Sequence, residues 1–165
     1  MRTGTAVAVA LLGLAMSSQT FAQWSTTTQD DIFSGGQKAM MLGDITPAQA
    51  VAFDCDSENL TLALLQKEKW SDTRTSTSWN LLMKVDKGEI HRFKAVSLKR
   101  NDAYIQYVTN EKDEILKLLG DLRDAKTAIL LGLQSDEFNS KWSGTVSATG
   151  STRETDKFLQ ACKLK

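Results

Sequence analysis

Apolar and polar residues alternate along most of this chain, which is the pattern of β-strands with one buried face. In the segment 51–55, Val51, Phe53 and Cys55 share one side, and small or polar residues take the other. The stretch 60–66 is apolar almost throughout, as expected for a central strand. The predicted strands are 24–31, 51–55, 60–66, 79–85, 89–98, 103–108, 125–133 and 139–149.

Three segments fit this pattern less well. Residues 37–42 suit either a strand or a short helical turn, and residues 43–48 contain the only proline, so we predict a loop there. In the run 89–98 the alternate residues mix charge with apolar character, which predicts a bulge or an edge strand. The residues that fail to sort are Ile90, Arg92, Lys94, Val96 and Leu98.

Short polar links between some of these runs predict hairpins. Residues 56–59 join two apolar runs, and Asp86-Lys87-Gly88 joins two more. A short polar linker that contains glycine, placed between alternating runs, is typical of a β-hairpin.

Two segments have the helical period instead. Ile115, Leu118, Leu119 and Leu122 recur at i, i+3, i+4 and i+7, and we expect Thr109 or Asn110 to cap their helix.

The second helical segment ends the chain. It begins at Ser151, and Glu154 three residues later predicts a capping box. Thr155, Phe158, Leu159 and Cys162 then form one apolar face.

The order of elements predicts an α+β fold. A mostly antiparallel β-sheet, arranged as a sandwich or a half-barrel, carries two helices packed on it. Residues 23–165 are long enough for a single domain.

The first 22 residues have the three parts of a secretory signal peptide: a positive start, an apolar run and a small-residue end at Ala22. The apolar run is shorter than the roughly twenty residues that span a bilayer. We therefore predict cleavage after residue 22 and a periplasmic or secreted protein, with a retained anchor helix as the alternative.

Charge argues against a nucleic-acid partner. Loss of Arg2 with the first 22 residues leaves 19 basic and 20 acidic residues, so the net charge is about −1. Charged residues are interspersed along the chain, and no basic run suggests membrane binding.

Two cysteines in an exported chain predict one disulfide, Cys55–Cys162, with free thiols as the alternative. The pair encloses 106 residues (162 − 55 − 1), and no C-x-x-C redox motif is present.

Residues with catalytic chemistry are few. His91 is the only histidine, and its neighbours Glu89 and Arg92 suggest a solvated strand surface. Carboxylates cluster at Asp30-Asp31 and at Asp54, Asp56 and Glu58, where turn chemistry explains them more simply than catalysis. We predict no catalytic residues, no metal site and no cofactor.

The loop 70–78 is the candidate contact surface. It is polar and unperiodic, and Trp70 and Trp79 bracket it. Either tryptophan is suited to anchor a protein partner, and Arg74 supplies a charged hydrogen-bond donor. Disorder of the loop is the alternative, and the Asp30-Asp31 pair is the competing site.

Several motifs resemble a known family. They are Trp24 six residues before Asp30-Asp31, the hairpin with Cys55 and LTLALL, the DEILKLLGDLRDAK helix and the ending GTVSATGSTRETDKFLQAC. Together they are similar to the exported, type VI secretion-associated VasI/TagO family, and the ending also resembles invasion-associated locus B proteins. The expected upstream paired-cysteine segment and a later aromatic-rich motif are missing. The resemblance implies an exported accessory domain with a Cys55–Cys162 bridge, and it supplies no catalytic residues.

Three functions follow from these observations. The first is a non-enzymatic accessory or binding protein that acts by protein contact, in association with a secretion system or the envelope. The second is an inhibitor or immunity protein against a cell-wall hydrolase. The third, least favoured, is a hydrolase that uses Asp30, Asp31 or Asp54.

Overall fold

The computed structural model describes residues 23–32, 35–71 and 76–164, and the predicted signal peptide lies outside them. Nine strands and two helices form within these ranges. The strands are β1 (Trp24–Asp31), β2 (Gly36–Thr46), β3 (Gln49–Cys55), β4 (Leu60–Lys67), β5 (Ser78–Val85), β6 (Ile90–Lys99), β7 (Tyr104–Thr109), β8 (Ala128–Ser135) and β9 (Ser140–Ser147). The helices are α1 (Lys112–Asp124) and α2 (Ser151–Ala161).

All the strands belong to one antiparallel sheet, in the order β1-β2-β3-β4-β7-β6-β5-β8-β9. The sheet curls into a half-barrel, which brings its two outermost strands together. The indole Nε1 of Trp24 donates to the carbonyl of Ser147 at 2.8 Å, and the amide of Ser147 donates to Oε1 of Gln23 at 2.8 Å. The predicted α+β class is therefore confirmed, as a half-barrel with two helices.

The core lies between the concave face of the sheet and the two helices. Helix α1 packs on β4, β5 and β6, and α2 packs on β1, β2 and α1. The predicted buried face of α1 is confirmed, since Ile115, Leu118, Leu119 and Leu122 are all fully buried. Phe158 of α2 meets Phe53 of β3 edge-on, with ring centroids 6.3 Å apart.

The segment 37–42, for which a strand and a helical turn were both open, belongs to strand β2. The strand continues through Gly43 to Thr46, so the predicted loop at 43–48 was wrong for most of its length. Only the turn with Pro47 separates it from β3. Gly43 lets the strand pass beneath a large side chain, because a Cβ there would lie 2.8 Å from the ring of Trp24.

Strand β6 was predicted as bulged or at an edge. The bulge was wrong, because the register of β6 with β5 is unbroken. The strand lies between β7 and β5, but it pairs with β7 only from Val96 to Lys99, so its first part has an edge on that side. The buried set is the other alternate one: His91, Phe93, Ala95 and Ser97. The mixed set Ile90 to Leu98 faces outward, where charge and apolar character can coexist.

Helix α2 begins at Ser151 as predicted, but the caps of both helices differ from the prediction. The residue before α1 is Glu111 rather than Thr109 or Asn110, and its side chain makes no capping bond. The cap of α2 is Gly150, whose φ of 89° is in the left-handed region that glycine adopts without strain. Ser151 is thus the first helical residue, and the carboxylate of Glu154 binds Nε of Arg153 at 2.8 Å instead of closing a capping box.

The disulfide prediction is confirmed. Cys55, the last residue of β3, is bonded to Cys162, which follows α2, and their Cα atoms are 6.1 Å apart. The bridge joins residues 107 positions apart and fixes the terminal helix to the sheet.

Candidate functional site

The end of the sheet where β4 finishes and β5 begins carries the candidate contact surface. Trp70 follows β4 and is half-buried against the core. Trp79 is the second residue of β5 and is also half-buried. Arg74, the third member of the predicted surface, lies outside the described residues.

Hydrogen bonds and ring contacts hold Trp79 in place. Its Nε1 donates to Oγ1 of Thr77 at 2.8 Å, and Thr77 is tied to Ser97 through their hydroxyls at 2.9 Å. One side of the indole meets Tyr107 edge-on, with centroids 4.9 Å apart. Trp79 is therefore a fixed residue of strand β5 rather than part of a mobile loop.

Sequence reasoning missed Phe138, which completes this surface. Its ring stacks on Trp79 with centroids 5.9 Å apart and an interplanar angle of 24°. It is 50% exposed. The turn between β8 and β9 presents it, and Asn139 ends that turn with a left-handed φ of 44°. Phe138 was missed because its partner lies 59 residues earlier (138 − 79), beyond any local pattern. We call Trp70, Trp79 and Phe138 the aromatic rim.

Asp30 and Asp31 lie at the other end of the sheet. They end β1, opposite Gly36 and Gln37 at the start of β2. Oδ1 of Asp30 accepts from Nε2 of Gln37 at 3.0 Å, and Oδ2 of Asp31 is 3.7 Å from Nζ of Lys38. The two contact sites that competed in the sequence prediction therefore lie at opposite ends of the strands.

The other carboxylate cluster has two structural roles. Asp54 forms a bidentate pair with Arg100, with both contacts at 2.8 Å. Asp56 caps its turn, as predicted, by accepting from the amides of Glu58 and Asn59 at 2.9 and 2.8 Å. Those backbone hydrogen bonds lower the pKa of Asp56.

His91 is the largest departure from the sequence prediction, which placed it on a solvated surface. It is buried on the concave side of β6. Nδ1 is 2.8 Å from Oε1 of Glu114, and Nε2 is 2.8 Å from Oδ2 of Asp121. Carboxylates only accept hydrogen bonds, so this geometry suits an imidazolium with both nitrogens donating.

The helical spacing explains this arrangement. Glu114 and Asp121 are seven residues apart on α1, so they lie on one face and reach both ring nitrogens. The hydrogen bond from His91 is the main reason that the pKa of Glu114 is lowered, and Lys117 adds to it. The cluster fastens α1 to the sheet.

Comparisons with protein-family models, curated proteins and solved structures found no match. No helix in the described ranges is long and apolar enough to cross a bilayer.

Proposed function

We propose that this protein is an exported, non-enzymatic accessory protein that acts by binding a protein partner at the aromatic rim. The stacked pair of Trp79 and Phe138 carries the proposal. Aromatic side chains are enriched among the residues that dominate binding energy in protein interfaces. A rigid indole beneath a half-exposed phenyl ring is an anchor that loses little conformational freedom on binding.

The kind of partner follows from the sequence resemblance. Its motifs resemble an exported, type VI secretion-associated family, so we expect a component of a secretion system or of the envelope. The bond between Cys55 and Cys162 is compatible with an exported protein, because such bonds persist in oxidising compartments.

The test is a quantitative pull-down from a periplasmic extract, with the chain from Gln23 onward as bait. Phe138→Ala should leave the fold intact, because half of the ring is already exposed. If the ring is a central anchor, its loss should weaken capture by roughly thirtyfold, the effect of about 2 kcal/mol.

Two controls belong to the competing end of the sheet. Ile32→Ala removes an exposed apolar side chain beside Asp31, and Asp30→Asn with Asp31→Asn removes the carboxylates. Both should bind as the parent does. Capture that survives Phe138→Ala but is lost in these controls would assign the site to the Asp30-Asp31 end. Recovery of a cell-wall hydrolase as partner would replace the accessory role with inhibition.

A further inference from the structure

The outer surface of one half of the sheet combines exposed aliphatic side chains with cations. It is formed by four neighbouring strands, which lie in the sheet in the order β6-β5-β8-β9. We call this surface the cationic face. It is defined by Lys84, Arg92, Lys94 and Lys141 together with Leu82, Ile90, Val96 and Leu130.

The strand register mixes the two kinds of side chain. One row across the strands runs Ile90, Lys84, Leu130, Thr145, and the next runs Arg92, Leu82, Gly132, Ser143. A third row has Lys94 at one end and Lys141 at the other. Ile90, Val96 and Leu130 are 46%, 42% and 48% exposed, so the apolar groups are accessible between the cations.

The charge of the four strands is one-sided, although the carboxylate of Glu111, just before α1, contacts the free side of β6 by accepting from the backbone amide of Lys94 at 2.6 Å. These four strands contain no aspartate or glutamate, whereas β1, β2 and β3 carry four aspartates. The nearest acidic residues along the chain are in the flanking turns, at Asp86, Glu89, Asp136 and Glu137.

The cations also lack acidic partners. Within the described ranges, Lys84, Arg92 and Lys141 form no ion pair, and Nζ of Lys94 donates only to the amide oxygen of Asn80, at 2.7 Å. A surface with unpaired cations beside exposed aliphatic groups is complementary to a partner that has both anionic and apolar groups.

We propose that the cationic face binds the surface of a bilayer that contains anionic phospholipids. The face has no tryptophan, tyrosine or phenylalanine, so it lacks the aromatic anchor typical of a protein hot spot. Its four cations are dispersed over the face, and each basic side chain near an anionic bilayer adds to the free energy of binding. Ile90, Val96 and Leu130 contact the apolar boundary below the headgroups.

Vesicle co-sedimentation tests this, with the chain from Gln23 onward, because the apolar run before it would bind lipid by itself. That chain contains every strand and both helices that the structure describes. We expect binding to vesicles of phosphatidylglycerol and phosphatidylcholine in equal parts, little binding to phosphatidylcholine alone, and weaker binding as salt is raised. Arg92→Gln with Lys94→Gln should weaken partitioning by roughly thirtyfold, at ~1 kcal/mol per basic side chain.

The matched control neutralises two cations on the other half of the sheet, Lys38→Gln with Lys67→Gln. It should partition as the parent does, while Leu130→Ser should weaken the salt-resistant part of binding. Equal losses in the control pair, equal binding to uncharged vesicles, or no vesicle binding would each overturn the proposal. Binding to polyglutamate without binding to anionic vesicles would also overturn it, in favour of an acidic protein. Phe138→Ala should not change partitioning, so this result is separate from that for the aromatic rim.

Discussion

Among the described residues, Ser151 has the only buried side-chain oxygen or nitrogen without a hydrogen-bond partner. Its hydroxyl is fully buried at the first position of α2, where Gly150 has taken the cap. A buried unsatisfied polar group costs about 1–3 kcal/mol, so its removal relieves a penalty. We expect Ser151→Ala to leave the free energy of unfolding unchanged or to raise it by up to ~1 kcal/mol, measured by denaturant unfolding.

A satisfied hydroxyl provides the comparison. Oγ1 of Thr26 donates to the carbonyl of Glu154 at 2.9 Å in a buried position, and Thr26→Val should cost about 1 kcal/mol. If Ser151→Ala lost about 1 kcal/mol as well, the serine would be acting as a cap after all.

The pH dependence of stability should have a contribution from Glu114. Its pKa in the folded protein lies below the ordinary 4.5 because His91 and Lys117 bind its charged form. This contribution is therefore complete above pH 4.5 and is lost as the pH falls through the lowered pKa. At pH 7, Glu114→Gln should cost about 1–2 kcal/mol, the value of a charged hydrogen bond at a partly exposed site.

Thermal unfolding of both proteins between pH 7 and pH 3 checks this. The difference in stability between the parent protein and Glu114→Gln should disappear as the pH falls below 4.5. A constant gap across that range would mean that the charge of Glu114 contributes nothing. Glu58→Gln is the matched control. Within the described residues the exposed side chain of Glu58 has no hydrogen-bond or ion-pair partner, so this substitution should lower stability by the same small amount at every pH.

At the scale of elements, the disulfide couples β3 to the segment after α2. Cross-linking a loop near 100 residues suggests about 4–5 kcal/mol of stabilisation in the chain-entropy model. Cys55→Ala and Cys162→Ala should each lose most of this, and the double variant should be little worse because both remove the same bond. Unfolding with and without reductant provides the measurement. Additive losses, or a parent protein insensitive to reduction, would contradict the expectation.

The sequence predicts elements well where one local pattern dominates. The stripe of Ile115, Leu118, Leu119 and Leu122 needed only a 3.6-residue period. In β6 two patterns competed, because the outward set contains Ile90 and Val96 while the inward set contains a histidine. Burial of His91 depends on Glu114 and Asp121, and a strand considered alone contains no sign of them.

At the scale of the whole molecule, the order of strands was beyond local patterns. The hairpins β3–β4 and β5–β6 join neighbours in sequence, but the pairings of β4 with β7 and of β5 with β8 do not. These distant pairings place Phe138 on Trp79 and collect cations from four strands on one face. The residues of both surfaces are visible in the sequence, and their proximity is a product of topology.

The contact of Trp24 with Ser147 has a consequence for self-association. Outermost strands present unpaired amides and carbonyls, and such rows are templates for intermolecular pairing and for fibrils. Here the backbone carbonyl of Ser147 accepts from the indole of Trp24, and its backbone amide donates to the side-chain oxygen of Gln23. The curl of the sheet also turns the two outermost strands toward each other. A side chain on the first strand thus protects the last one, and the colloidal stability of the protein depends on a tryptophan that belongs to neither proposed binding surface.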